Sequence, residues 1–167
     1  MTPEGLFRKT YRIASARLKE WDYSSPGHYS VTICTQDKQC FFGDIVEIEE
    51  EPGAAIQFSP AGQTIEKFWK MIPRWYPNVS LDDWQIMPNH FHGILFIAEQ
   101  KEGVTLGLII NQFKAECTKD IRNMGLKDFA WQPRFHDHIV RNAKDLERVQ
   151  RYIRENPAAW LYGEDED

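Results

Sequence analysis

Two histidines separated by one residue are the first candidates for chemistry in this sequence. His90 and His92 open the segment 90–98, whose apolar and aromatic residues predict a β-strand. Because side chains on a strand alternate between its faces, both imidazoles would lie on one face, with their Cβ atoms about 6.5–7 Å apart. Both rings could then reach one divalent cation, while Phe91 turns into the core and Gly93 permits close approach of a ligand or another backbone.

The spacing of the histidines does not by itself distinguish a metal site from two polar residues beside a turn. His136 and His138 repeat the spacing around Asp137 on a second predicted strand, 134–141. A four-histidine site is therefore an alternative, provided that the two strands meet. The first pair is favoured because a hydrophobic residue anchors it, and the isolated His28 is interpreted as structural or exposed.

A predicted helix near the end of the chain carries a second set of candidates. Arg148, Tyr152 and Asn156 follow one another at intervals of four, so they form one row along the helix. The row would place the Tyr152 hydroxyl at the edge of the buried face, with a neutral oxygen ligand one turn after it and a cation one turn before it. The alternative is an ordinary amphipathic helix with a boundary tyrosine. The adjacent apolar stripe consists of Leu146, Val149 and Ile153.

The elements that must position these residues indicate an α+β fold. Strands are predicted at 28–35, 44–49, 55–58, 79–87, 90–98 and 134–141. One helix begins after the Ser59 cap and ends at Pro73, a second spans 106–124, and a third follows the Asn142 cap, with a break or kink at Pro157. This order predicts a ferredoxin-like antiparallel sheet with helices packed mainly on one face.

Composition excludes several classes of protein. With 42% hydrophobic and 27% charged residues in 167, the chain is expected to be one folded domain. No apolar run approaches the ~20 residues that cross a bilayer, and the first residues lack a secretory signal, so a cytoplasmic protein without membrane contact is expected. Three scattered cysteines exclude a CxxC zinc site.

The net charge of −5 is unevenly distributed. Positive charge is concentrated in residues 1–24 and 107–155, and acidic residues dominate the middle and the last residues. The chain is accordingly divided into a basic N-terminal arm (1–27), a folded domain (28–160) and an acidic tail (161–167). A polyanion would contact the first and last thirds of the chain rather than the middle.

Several segments together resemble a known family. They are Met-Pro-Asn-His-Phe-His-Gly-Ile-Leu at 87–95, Trp-Gln at 131–132, His-Ile-Val-Arg-Asn at 138–142 and Arg-Tyr-Ile-Arg-Glu-Asn-Pro at 151–157. In this order and at these distances they resemble the single-tyrosine transposases of the IS200/IS605 type, and most closely the REP-associated tyrosine transposases. The resemblance spans about residues 28–160.

The resemblance implies a role for each candidate. His90 and His92 match the metal-binding pair, Tyr152 matches the nucleophile, and Asn156 matches the polar residue that completes the metal shell. Such enzymes cut and rejoin single-stranded DNA, often beside a hairpin, through a 5′-phosphotyrosine link with Mg²⁺ or Mn²⁺. A homodimer is an expectation from the resemblance alone.

Candidate DNA contacts combine positive charge with aromatic surface. They are Arg12, Arg17, Lys114, Trp131, Arg134, Arg141 and Arg148. Two other functions stay open at this point: a DNA-hairpin-binding protein of the same fold without turnover, and a metal-dependent phosphoesterase in which Tyr152 is only structural.

Overall fold

A computed structural model describes residues 18–163 of the chain. The elements in chain order are β1 (Gly27–Cys34), β2 (Gly43–Glu47), β3 (Ala54–Phe58), α1 (Pro60–Trp75), β4 (Val79–Ile86), β5 (His90–Ile97), α2 (Leu106–Asn123), β6 (His136–Ile139) and α3 (Ala143–Tyr162). No helix among these residues is long and apolar enough to span a bilayer.

The main sheet has four strands in the order β4-β5-β1-β6, and every neighbouring pair is antiparallel. Helix α1 connects β1 to β4, and α2 connects β5 to β6, so the β-α-β-β-α-β arrangement is ferredoxin-like, as predicted. Strands β2 and β3 form a separate hairpin inserted before α1. The predicted α+β fold class is confirmed.

The two faces of the sheet are covered by different helices. Residues Phe91 and Leu95 of β5 belong to the large core that includes Trp69 of α1 and Phe113 of α2. On the opposite face, Ile94 packs against Val149 and Ile153 of α3. Two of the three helices therefore share one face, and the helix that carries Tyr152 lies over the face of His90 and His92.

The predicted helix starts are accurate, but the predicted end at Pro73 is wrong. Ser59 caps α1 and Asn142 caps α3, each accepting a hydrogen bond from a backbone N–H three residues later. Pro73 lies inside α1, because a proline near the end removes only its own N–H bond, and the N–H of Tyr76 still donates to Ile72 O.

Of the break or kink predicted at Pro157, the break is absent. Helix α3 continues to Tyr162 and ends at Gly163, whose positive φ of 76° suits a helix C-cap. The last helical turns have tertiary partners, since Trp160 adjoins His90 and the Tyr162 hydroxyl donates to Glu47. Helix α3 thus extends two residues into the segment predicted as an acidic tail, and residues 164–167 lie outside the described part of the chain.

Candidate active site

His90 and His92 lie next to each other at the beginning of β5. Both are buried, their ring centroids are 4.7 Å apart, and the rings are nearly perpendicular, at 79°. The alternation of β5 places both side chains on the face that α3 covers. The strand geometry therefore brings the two imidazoles together, as the His-x-His spacing predicts.

Each imidazole is held through its Nδ1 atom. His92 Nδ1 lies 2.9 Å from Thr32 Oγ1, because antiparallel pairing places Thr32 of β1 directly opposite His92. His90 Nδ1 lies 2.6 Å from Asn89 Oδ1. Among the described residues, His92 Nε2 is buried and has no hydrogen-bond partner. That nitrogen is consequently available as a ligand atom.

His92 is maintained in its neutral form. Burial, and next the proximity of His90, lowers the pKa of His92 well below its ordinary value. A neutral imidazole has a lone pair, which metal coordination requires. The buried His92 Nε2 and its neutral ring therefore fit a metal ligand.

Tyr152 lies beside this pair. Packing of Val149 and Ile153 on Ile94 orients α3 so that the Tyr152 ring centroid is 5.4 Å from that of His92, at 76°. Tyr152 is nevertheless 55% exposed. The Tyr152 side chain beside the histidines can thus be reached from solvent.

Asn156 and Trp160 continue the row along α3. Asn156 is 2% exposed, one turn beyond Tyr152, and Trp160 is one turn further, with its ring centroid 6.1 Å from that of His90. Because Tyr152 and Trp160 each adjoin one histidine, the buried Asn156 lies between these two contacts on the helix face turned toward the pair. An amide oxygen on this face is a suitable third ligand.

Polar contacts attach α3 to the two edge strands of the sheet, β6 and β4. Asp145 Oδ2 lies 2.8 Å from His138 Nε2, and Asp145 Oδ1 accepts a 2.7 Å hydrogen bond from Arg148. Burial of the Asp145 carboxyl favours a higher pKa, but hydrogen bonds from Arg148, from the Arg141 N–H and from His138 outweigh it and lower the pKa to about 2. At the β4 bulge, Gln150 donates to Asp82.

The four-histidine alternative is not supported. His138 contacts Asp145, and no group of three or more His, Cys, Asp or Glu within residues 18–163 is arranged to hold a metal ion. Two histidines and the amide of Asn156 remain as the candidate ligand set.

The predicted DNA contacts lie in different environments. Arg134, Arg141 and Arg148 are exposed, although Arg148 also forms an ion pair with Asp145. Lys114 donates a 2.9 Å hydrogen bond to Gln132 O, and burial lowers the pKa of its ammonium group.

Trp131 was expected to offer a stacking surface, but it is only 8% exposed, and its ring packs in the core against Phe42, Phe113 and Phe129. Little of that ring is available to a nucleobase. Arg12 and Arg17 lie outside the described residues.

Three residues of the site did not emerge from the sequence. Asn89 directly precedes His90, and Trp160 extends the row of Tyr152 and Asn156 by one turn, so local spacing could have indicated both. Thr32 has no such signal, because its contact with His92 depends on the register between β1 and β5.

Comparisons with known proteins identify the family of the chain. Residues 58–156 match the family model described as "Transposase IS200 like". An uncharacterized protein of Haemophilus influenzae is 33% identical over 165 residues, covering 87% of this chain and 88% of that protein. A REP-associated tyrosine transposase of Escherichia coli is 34% identical over 79 residues, covering 46% of this chain and 43% of that protein.

Solved structures support the fold. A REP-associated tyrosine transposase bound to a REP hairpin superposes with a TM-score of 0.57 at 22% identity, covering 85% of this chain and 73% of that one. A candidate transposase from Deinococcus radiodurans gives 0.52 at 14% identity, over 84% of this chain and 98% of that one. The family match extends from the end of β3 to Asn156, and the resemblance found in the sequence is confirmed: the chain belongs to the IS200-like transposase family.

Proposed function

We propose that this chain nicks and rejoins single-stranded DNA by transesterification through Tyr152, with a divalent cation bound by His90, His92 and Asn156. The observation that carries the proposal is the contact of the Tyr152 ring with His92, whose buried Nε2 has no hydrogen-bond partner. The relative whose structure contains a REP hairpin supports hairpin DNA as the substrate class.

The residues suit a reversible exchange of phosphodiester bonds. The Tyr152 oxygen attacks phosphorus and loses its proton, a phenolic O–P bond forms, and the bond to the 3′ oxygen breaks, so that a 3′-hydroxyl leaves. A phenol has a pKa near ~10, well below that of an aliphatic alcohol, so the phenolate can leave again when the 3′-hydroxyl returns. No water is consumed, and ligation remains available.

The other residues of the site bind and orient. When bound, Mg²⁺ or Mn²⁺ would polarise a non-bridging phosphate oxygen. His90, His92 and Asn156 would supply neutral ligands, which would leave the full charge of the cation available to the phosphate. Arg148 lies one turn before Tyr152 and can attract the DNA backbone, and Asp145 limits the conformations of its side chain.

A denaturing gel tests the proposal. The protein is incubated with Mn²⁺ and a pool of hairpin oligonucleotides with randomised single-stranded flanks, labelled at either the 5′ or the 3′ end. A 5′-phosphotyrosine link transfers the 3′ label to the protein and releases the 5′-labelled fragment with a free 3′-hydroxyl. We expect this adduct from the unmodified chain and none from Tyr152→Phe.

Tyr162→Phe is the matched control. Tyr162 lies on the same helix and is 56% exposed, close to the 55% of Tyr152, so its substitution should leave the adduct intact. Cleavage that persists in Tyr152→Phe would instead indicate a phosphoesterase that uses water. Hairpin binding without any adduct would indicate a DNA-binding protein without turnover.

A further inference from the structure

We propose that Asn89 positions His90 by fixing its tautomer, with the proton on Nδ1 and the lone pair on Nε2. This proposal rests on the proposed function only in taking Nε2 as the atom that faces the cation. The tautomer itself is a property of the chain without metal. It follows from contacts of Asn89 that play no part in the transesterification.

The orientation of the Asn89 amide is determined by a backbone carbonyl. Asn89 Nδ2 lies 3.3 Å from Lys38 O, and a carbonyl oxygen can only accept, so the amide nitrogen must be on that side. Asn89 Oδ1 then faces His90 Nδ1 at 2.6 Å. Since this oxygen can only accept, His90 Nδ1 must carry the proton.

The backbone around Asn89 keeps its side chain in place. The carbonyl oxygen of Asn89 accepts hydrogen bonds from both the N–H and the hydroxyl of Thr35, each 3.0 Å long. The turn directly after Thr35 contains Asp37 and Lys38, whose φ angles are 56° and 55°. This left-handed conformation is uncommon for residues other than glycine. That conformation belongs to the turn that presents Lys38 O to Asn89, and such outliers concentrate at functional sites.

His92 offers a comparison within the same site. Its Nδ1 partner is the hydroxyl of Thr32, which can donate or accept, so this contact is compatible with either tautomer. Only the amide of Asn89 imposes a single tautomer. The two histidines should therefore respond differently when their partners are removed.

Nitrogen NMR of the metal-free protein tests the proposal directly. With ¹⁵N-labelled histidine at pH 8, two-bond ¹H–¹⁵N correlations distinguish the Nδ1–H from the Nε2–H tautomer. We expect His90 as the Nδ1–H tautomer in the unmodified chain and a shift toward the Nε2–H tautomer in Asn89→Ala. An Nε2–H tautomer in the unmodified chain, or an unchanged tautomer in Asn89→Ala, would overturn the proposal.

Two further variants separate positioning from general stability. Asn78 is also a buried asparagine, with its amide donating to Glu99 O, and Asn78→Ala should leave the His90 tautomer unchanged. Asn89→Asp retains an acceptor for His90 and should restore the Nδ1–H tautomer. Loss of the Nδ1–H tautomer in Asn78→Ala as well would attribute it to the loss of any buried asparagine and overturn the proposal.

Calorimetric titration with Mn²⁺ provides the second measurement. Residues that orient metal ligands typically contribute about 10- to 100-fold to affinity, and we expect a loss of that size in Asn89→Ala but not in Asn78→Ala. Equal affinities in Asn89→Ala and the unmodified chain would overturn the positioning role. If the unmodified chain binds no Mn²⁺, the metal part of the proposed function fails, while the NMR experiment still decides on Asn89.

Discussion

The two faces of strand β5 are both buried, yet they are organised differently. On one face, the ring centroids of Trp69 and Phe91 are 4.4 Å apart. The Trp69 ring occupies the space above Gly93, where an added Cβ atom would lie 2.5 Å from Trp69 Cζ2. On the other face, hydrogen bonds to Asn89 and Thr32 hold His90 and His92. Burial alone therefore does not separate core from site, and an unsatisfied polar atom does not either, because Trp69 Nε1 on the core face also has no hydrogen-bond partner. The difference is that an imidazole nitrogen can bind a cation, whereas an indole N–H can only donate.

This difference has an energetic meaning. A well-packed apolar side chain contributes about 1.5–3 kcal/mol when fully buried, whereas an unsatisfied buried polar atom costs about 1–3 kcal/mol. The His92 Nε2 atom is of the second kind. The packed rings on the face toward α1 stabilise the fold, whereas the unsatisfied His92 Nε2 on the face toward α3 has a cost in stability that a bound cation would offset.

The largest effect is expected on the histidine face. His92→Gln keeps a polar side chain of similar size but removes the ring nitrogen, and we expect Mn²⁺ affinity in calorimetric titration to fall by more than about 100-fold, beyond the range of residues that only orient ligands. His136→Gln, in the other His-x-His pair, should leave the affinity unchanged. Equal affinities for His92→Gln and the unmodified chain would remove the distinction between the two faces.

An intermediate effect is expected on the packed face. Gly93→Ala forces a Cβ atom against the buried rings of Trp69 and Phe91, and overpacking of this kind costs about 1–3 kcal/mol in the free energy of unfolding. Urea denaturation measures it. The face toward α3 is represented by Ile94→Val, for which we expect about 0.5–1.5 kcal/mol. A neutral Gly93→Ala would mean that the space above this glycine is not filled as described.

The smallest effect concerns the attachment of α3 to the sheet. The folded-state pKa of Asp145, about 2, lies below the ordinary value of 3.8, so its ionised form stabilises the fold above about pH 4 and this contribution is lost as the pH falls through about 2. Asp145→Asn should lower the free energy of unfolding by about 0.5–1 kcal/mol at pH 6 and by less at pH 2.5.

Urea midpoints at the two pH values measure this difference. Glu147→Gln is the control, since that exposed carboxylate pairs with Arg151 only at 3.7 Å and should show little effect at either pH. A pH-independent loss in Asp145→Asn would show that the carboxylate charge is not what attaches α3.

The periodic spacing of residue types within single segments was sufficient to predict much of the fold and which candidate residues share a face. The period of two in residues 90–98 correctly places His90 and His92 on one face, and the interval of four correctly places Tyr152 and Asn156 in one row. Both follow from the geometry of a single backbone element. The helix caps at Ser59 and Asn142 are equally local, which is why they were predicted correctly.

Other features were decided by contacts between distant parts of the chain. The continuation of α3 past Pro157 has partners in His90 and Glu47, and the burial of Trp131 depends on aromatic residues from other elements. Neither contact leaves a pattern in the local sequence. Predictions at these positions were accordingly wrong, or placed a core residue on the surface.

The sequence by itself therefore determined which side chains share a face of β5 or α3, because that relation follows from the repeat of one strand or one helix. Only the tertiary structure decided that α3 covers the histidine face, that Thr32 reaches His92 across 60 residues of chain, and that His138 contacts Asp145. These relations depend on strand register and on which apolar surfaces pack together. Both are properties of the assembled domain rather than of any single segment.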